Sequence, residues 1–102
     1  SVEAGTTVIR QGQGGNEVYL LEEGAVEIIR EDKTGSHFVA KLEAPAFFGE
    51  RALLDPERIR TASVKALTDL KVLVIRIDSF LALLRRFPSL RDRMRGLFVE
   101  RT

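Results

Sequence analysis

FFGERALLDPERIRTASV, running from Phe47 to Val64, interrupts a chain otherwise written in short apolar runs. Gly49, Glu50, Arg51, Ala52, Leu53 and Leu54 read as a single short helical turn, stopped by Asp55 and Pro56, and the chain returns to a strand at Arg60. A turn of that length cannot bond its own first N–H groups, so those donors face outward and suit an anion such as phosphate. Gly49 allows the backbone a close approach. Arg60, at the mouth of the following strand, carries a planar fork of permanent charge able to close on the same anion. Spacing alone leaves this open, because a glycine before a short helical turn equally describes a surface loop with an incidental ion pair.

On either side the texture is β. From Thr6 to Ile77, runs of Val, Ile, Leu, Tyr and Phe alternate with Gly, Asn, Asp and Pro clusters at the close spacing of a barrel or sandwich. Thr7–Arg10 reads as a strand and GQGGNE as the turn after it. Val18–Leu21 and Val26–Ile29, flanking Glu22, Glu23 and Gly24, read as a hairpin, and DKTGS as the next turn. Phe38, Ala40 and Leu42 alternate with His37, Val39 and Lys41, the period of a half-buried strand; Ala62, Val64 and Ala66 alternate likewise with Thr61, Ser63 and Lys65. Val72–Ile77, nearly continuous in apolar residues, is expected to be the most buried strand.

Beyond Ile77 the period becomes helical. Asp78 or Ser79 is placed to cap a segment whose Phe80, Leu81, Leu84 and Phe87 share a face, and Pro88 interrupts it. Leu90, Met94, Leu97 and Phe98 form a second stripe, with Arg91, Arg93 and Arg95 facing elsewhere. Gly96 weakens that second helix by roughly 1 kcal/mol relative to alanine.

With 102 residues, 44% of them hydrophobic, the chain fits one domain with a modest core. Sixteen basic residues against fifteen acidic ones leave a net charge of +1, so no broad field points to nucleic acid and any bound anion must be held locally. The absence of cysteine removes disulfides, thiolate nucleophiles and cysteine-based zinc sites, and agrees with a reducing, cytoplasmic location. No apolar run approaches the ~20 residues that cross a bilayer, and SVEAGTTVIRQ does not read as a signal peptide, so a soluble chain without direct membrane contact is expected.

FGERALL followed by RTASV resembles the phosphate-binding cassette of the cyclic-nucleotide-binding domain family, seen in cAMP- and cGMP-dependent protein kinases, nucleotide-gated channels and bacterial catabolite-activator regulators. TVIRQGQGGNEVYLLEEGAVEI is similar to the family's first strands and glycine turn, and DSFLALLRRFPSL to its helix after the barrel, so the likeness covers almost the whole chain. It implies a mainly β fold: a jelly-roll barrel over about 6–77 with a short cassette helix, a hinge helix over about 79–87 and a lid helix over about 89–101, all in one domain. By the same resemblance Glu50 accepts a hydrogen bond from the ribose 2′-hydroxyl, Arg60 pairs with the cyclic phosphate, and main-chain N–H groups of Gly49, Glu50 and Ala52 complete the site. The ligand implied is cGMP or cAMP, with no other cofactor and no metal. Thr61 after the arginine, and the basic residue in GERALL, resemble the cGMP-dependent kinases; the arginine that some cGMP-selective members carry near the position of Ala40 is missing, so both bases stay open.

The family begins with helical residues before the first strand, so this chain is expected to be an excised module of a larger protein. Its partner would be an output domain, a kinase first, a nucleotide-gated channel next and a transcription regulator third. Ligand drawing Leu53 and Leu54 against the helix of Phe80 and Leu84 would carry the signal, with the second helix hinged at Phe87 and Pro88. Met94, Leu97 and Phe98 fit an apolar lid over the purine or ordinary packing on the barrel. A barrel that binds no nucleotide and serves as an interaction platform would have lost Glu50 or Arg60, and both are present. Neither His37, the sole histidine, nor Ser63, which lacks a base and an orienting partner, supports an enzyme. The arginines from Arg85 to Arg101, broken by Asp92 and Glu100, read as a solvated helix face rather than a nucleic-acid patch.

Overall fold

Short β-branched runs ended by turn residues become seven strands, followed by a helix, among the residues that the computed structural model describes, 1–49, 59–89 and 92. The strands are β1 (Thr7–Ile9), β2 (Glu17–Glu23), β3 (Ala25–Asp32), β4 (Gly35–Glu43), β5 (Ala46–Phe48), β6 (Ser63–Ala66) and β7 (Lys71–Arg76), and α1 is Ile77–Arg86. They form two antiparallel sheets, ordered β1-β6-β3-β4 and β5-β2-β7. Consecutive strands mostly change sheet, which gives the jelly-roll arrangement.

That alternation corrects one expectation. Val18–Leu21 and Val26–Ile29 are not a hairpin: β2 pairs with β5 and β7, whereas β3 pairs with β4 and β6. The chain turns the corner at Gly24, whose φ of +100° and whose closeness to the Asp69 carbonyl, 2.5 Å from where a Cβ would stand, exclude a side chain. Beyond the corner the Ala25 carbonyl accepts the Leu67 N–H, so β3 is drawn towards β6.

Apolar residues at period two fill the space between the sheets. Ile9, Val26, Val64 and Ala66 from the larger sheet meet Leu21 and Phe48 from the smaller one, and Leu70 closes one end. The reading of β7 as the most buried strand is overturned: Leu73 and Val74 are 49% and 54% exposed. As the edge of its sheet β7 has one neighbour, and Val72 packs on the core while Ile75 packs on the opposite face. Phe38 also departs from the alternation of β4, being 65% exposed on an edge strand, past the irregularity between Ile28 and Ile29.

On the outer face of the three-stranded sheet Val18, Ile77 and Phe80 form a second cluster, with Phe47, Ile75, Leu81 and Leu84 packed against it. The helix begins earlier than expected. Arg76 is its N-cap with no side-chain cap bond, and Asp78 lies inside the first turn, where its charge still favours the positive end of the helix dipole. Phe87 leaves the apolar face as the C-cap because Pro88 disfavours helical backbone at the residue before it. No helix among the described residues is long and apolar enough to cross a membrane. The lid helix of about 89–101, with Met94, Leu97 and Phe98, lies almost wholly outside the described residues.

The β3–β4 hairpin is tied by Asp32, whose Oδ1 accepts the Thr34 N–H at 2.8 Å and its hydroxyl at 2.6 Å, and lies 3.0 Å from His37 Nε2. The bonds from Thr34, then the one from His37, hold the Asp32 carboxyl below its ordinary value of 3.8. A lowered folded-state value stabilises the hairpin above the ordinary carboxylate range and loses that contribution as pH falls through the folded value. Asp32→Ala is therefore expected to lower the thermal midpoint slightly at neutral pH. The difference from wild type should shrink as pH falls through the lowered folded-state value of Asp32; a difference that does not change with pH would refute the ionic origin.

Candidate functional site

The turn after β1 and the strand that ends in β6 are stitched together by backbone before any side chain matters. The Gly12 N–H donates to the Arg60 carbonyl and the Arg60 N–H to the Gln13 carbonyl, each at 2.8 Å, and Gly14 bridges Ile59. Arg60 is thereby fixed at the end of the barrel, with its side chain turned inward and only 7% exposed. Its Nη1 donates to the Gly49 carbonyl at 2.8 Å and its Nη2 to the Glu17 carbonyl at 2.9 Å. The guanidinium thus spans the end of β5 and the start of β2.

Two glycines make room for it. A Cβ on Gly15 would stand 2.3 to 2.6 Å from Nε, Nη2 and Cζ of Arg60, so any side chain there must displace the guanidinium. Gly49 has φ +82°, and a Cβ would meet Arg60 Nη1 at 3.1 Å and Ile9 and Tyr19 at 3.2 Å. The close approach that the structure shows at Gly49 is to the arginine itself.

The electrostatics are unusual for a buried cation. Arginine is almost never fully buried unless paired, yet the described carboxylate near Arg60 is Glu17, whose Oε2 lies 3.6 Å from Nη2 on a side chain 41% exposed. The two close bonds go to neutral carbonyls, which orient the fork without neutralising it. Tyr19 completes the wall: its ring stacks on Phe48 at 4.9 Å, 3° from parallel, and burial, then the charge of Glu17, raises its phenol above 10.0, while Arg60 pulls the other way. Its hydroxyl stays protonated at neutral pH. A cavity of about 70 Å³ opens beside the guanidinium, lined by Val8, Ile9, Arg10, Gln13, Gly14, Gly15, Glu17 and Tyr19. It is small against the roughly 300 to 1,000 Å³ of small-molecule pockets, and of a size for a phosphate group.

Of the residues expected at the site, the structure brings Gly49 and Arg60 into contact, and it places Thr61 next to the guanidinium's residue on exposed backbone. Glu50 and Ala52, and the coupling residues Leu53 and Leu54, lie outside the described residues. Phe80 is 1% exposed and Leu84 half-buried, both in the cluster under α1, and the Phe80 ring meets Phe47 at 5.9 Å. Phe47 stands two residues before the Gly49 carbonyl that holds Arg60, so β5 links the arginine to the helix. Sequence reading missed Gly15, Glu17 and Tyr19; the one signal was a pair of glycines followed by an acid in GQGGNE, which reads as a turn. Ser63 receives the Gln11 N–H at 3.0 Å and His37 pairs with Asp32, so both have structural roles.

Comparison with known proteins agrees with this geometry. A family model described as the cyclic nucleotide-binding domain matches residues 1–87. The chain is 44% identical over 70 residues to a cAMP-dependent protein kinase regulatory subunit of Schizosaccharomyces pombe, covering 69% of this chain and 16% of that protein. With human cGMP-dependent protein kinase 2 it shares 33% identity over 98 residues, 96% of this chain and 12% of the kinase. The crystal structure of Thermus thermophilus catabolite activator protein superposes with a TM-score of 0.82 at 33% identity, covering 97% of this chain and 46% of that one. The chain thus spans less than half the length of each of these relatives. A family match over most of the chain, together with a jelly-roll of the same shape, shows that it belongs to the cyclic nucleotide-binding domain family.

Proposed function

We propose that this chain is one regulatory module that binds a cyclic purine nucleotide through Arg60 and reports occupancy to an attached output domain. The observation that carries the reading is a guanidinium 7% exposed, held in place by carbonyls and facing a phosphate-sized cavity, with its nearest described carboxylate beyond hydrogen-bonding distance. Burying a cation in that way is costly unless an anion completes it. In this reading N–H groups of Gly49, Glu50 and Ala52 close on the remaining phosphate oxygens. The Glu50 carboxylate accepts the ribose 2′-hydroxyl, so that phosphate and sugar are recognised together.

For the base, Thr61 supports cGMP. Its hydroxyl both donates and accepts, which suits the guanine 2-amino group, and it is exposed directly after Arg60. A single hydrogen bond contributes about 0.5 to 1.5 kcal/mol, so the preference over cAMP is about two- to tenfold. The cAMP reading has its own support in the higher identity to a cAMP-dependent kinase regulatory subunit, 44% against 33% for the cGMP-dependent kinase. Kinase relatives favour a kinase as the output, and Leu53 and Leu54 moving against Phe80 and Leu84 would transmit the signal.

Calorimetric titration with cGMP, cAMP and 5′-GMP tests the reading. Cyclic nucleotides should bind at least an order of magnitude more tightly than 5′-GMP, and equal affinities would refute recognition of the cyclised phosphate. Thr61→Ala should lower cGMP affinity about two- to tenfold and leave cAMP unchanged. Unchanged cGMP affinity would transfer the assignment to cAMP.

A further inference from the structure

The carboxylate of Glu17 is the feature of the site that binding by Arg60 does not require. Orientation of the fork is already supplied by carbonyl bonds at 2.8 and 2.9 Å, one of them from the main chain of Glu17 itself. The side chain adds an Nη2 contact of 3.6 Å, longer than a hydrogen bond, from a carboxylate 41% exposed. Its effect on Arg60 is therefore that of charge and not of geometry. Glu17 also lines the cavity beside the guanidinium, on the same wall as Tyr19 and Gly15.

We infer that Glu17 is a resident counter-anion of Arg60 that competes with the ligand's phosphate, and so sets the affinity of the site. The inference rests on the reading that Arg60 takes a phosphate. In the free chain the carboxylate partly neutralises a buried guanidinium, which stabilises the empty site. On binding, a phosphate placed on the same guanidinium brings a second negative charge within about 4 to 6 Å of the first, a separation at which like charges disfavour one another. Either the carboxylate swings out, exchanging a partner for water, or it stays and repels the ligand. Both raise the free energy of the bound state relative to the empty one. Two charges some 5 Å apart at a half-exposed site, with an effective dielectric between that of a protein surface and bulk water, correspond to roughly three- to thirtyfold in affinity.

Glu17→Gln tests this, because it keeps side-chain size and the main-chain carbonyl while removing the charge; Glu17→Ala serves as the second variant. Calorimetry should show each variant binding cGMP and cAMP about three- to thirtyfold more tightly than wild type. Thermal denaturation should show a lower midpoint for the empty variant and a larger rise on saturation with nucleotide. Glu22→Gln, which removes an exposed carboxylate 3.8 Å from Lys71 and away from the cavity, should leave affinity within about twofold, since remote surface charges are screened. If wild type binds nucleotide while the Glu17 variants bind it equally or less tightly, or if Glu22→Gln matches their gain, competition by Glu17 is wrong and the phosphate reading of Arg60 stands. If neither wild type nor the variants bind cyclic nucleotide, the phosphate reading fails and takes this inference with it.

Discussion

Arg60→Ala is expected to weaken binding of cyclic nucleotide by about 30-fold to several thousand-fold. The size follows from burial. In water a lost charge pair costs little, but this guanidinium is 7% exposed, so its removal leaves the incoming phosphate without its charged partner in a place that water does not freely reach. The same substitution orphans the carbonyls of Gly49 and Glu17, each of which accepts one of its N–H groups. Two half-buried acceptors without a donor cost about 1 to 3 kcal/mol each where water cannot replace the bond, so the empty variant is also expected to melt at lower temperature. Arg60→Lys separates the two effects. It keeps the charge and loses the fork, and so should retain part of the stability while losing most of the affinity. Calorimetry and thermal denaturation on the same samples check both, and nucleotide affinity unaltered in Arg60→Ala would end the phosphate assignment.

Phe80→Ala is expected to cost about 3 to 5 kcal/mol of folding stability, which for a domain of this size lowers the melting midpoint by more than about 10 °C. The ring is 1% exposed in a cluster with Val18 and Ile77, and it meets Phe47 at 5.9 Å with a tilt of 58°. Truncation opens a cavity that the neighbouring strands cannot fill, because Phe47 is fixed by its ladder to β2 and Val18 by its ladder to β7. A domain with a total stability of about 5 to 15 kcal/mol has little left after such a loss. Phe87, one helical turn or more further on and 47% exposed, provides the contrast: Phe87→Ala should cost under about 1 kcal/mol. Equal losses for both residues would show that α1 is not held by this cluster. Because Phe47 adjoins the segment whose Gly49 carbonyl holds Arg60, a form of Phe80→Ala that still folds should bind nucleotide and respond to it less at the helix.

Much of the site was legible because its chemistry is local. Gly49, Glu50 and Arg60 lie within one stretch of twelve residues, and it is the resemblance of that stretch to a phosphate-binding cassette, more than its spacing, that singles them out. The structure buries Arg60 and sets it against the Gly49 carbonyl. Gly15, Glu17 and Tyr19 were not legible, since a glycine next to a glycine reads as a turn whether or not a guanidinium lies under it, and 43 residues separate Glu17 from the arginine that binds its carbonyl.

For the fold, composition and period two were enough for a barrel or sandwich of short strands followed by a helix, because apolar alternation is a property of each segment alone. Which strand pairs with which was decided only in three dimensions. Gly24 reads as a hairpin turn, yet its corner sends β3 to the other sheet, since ladder energy depends on neighbours supplied from β6, some forty residues away. The apolar run of β7 reads as a core strand, yet an edge position leaves Leu73 and Val74 in water, because burial counts the neighbours a strand acquires and not the residues it carries. By itself the sequence determined the period of the described strands and helix and the charge carried by Arg60; tertiary structure decided pairing, exposure and the carboxylate of Glu17 set beside that charge, because those are relations between segments that no single segment encodes.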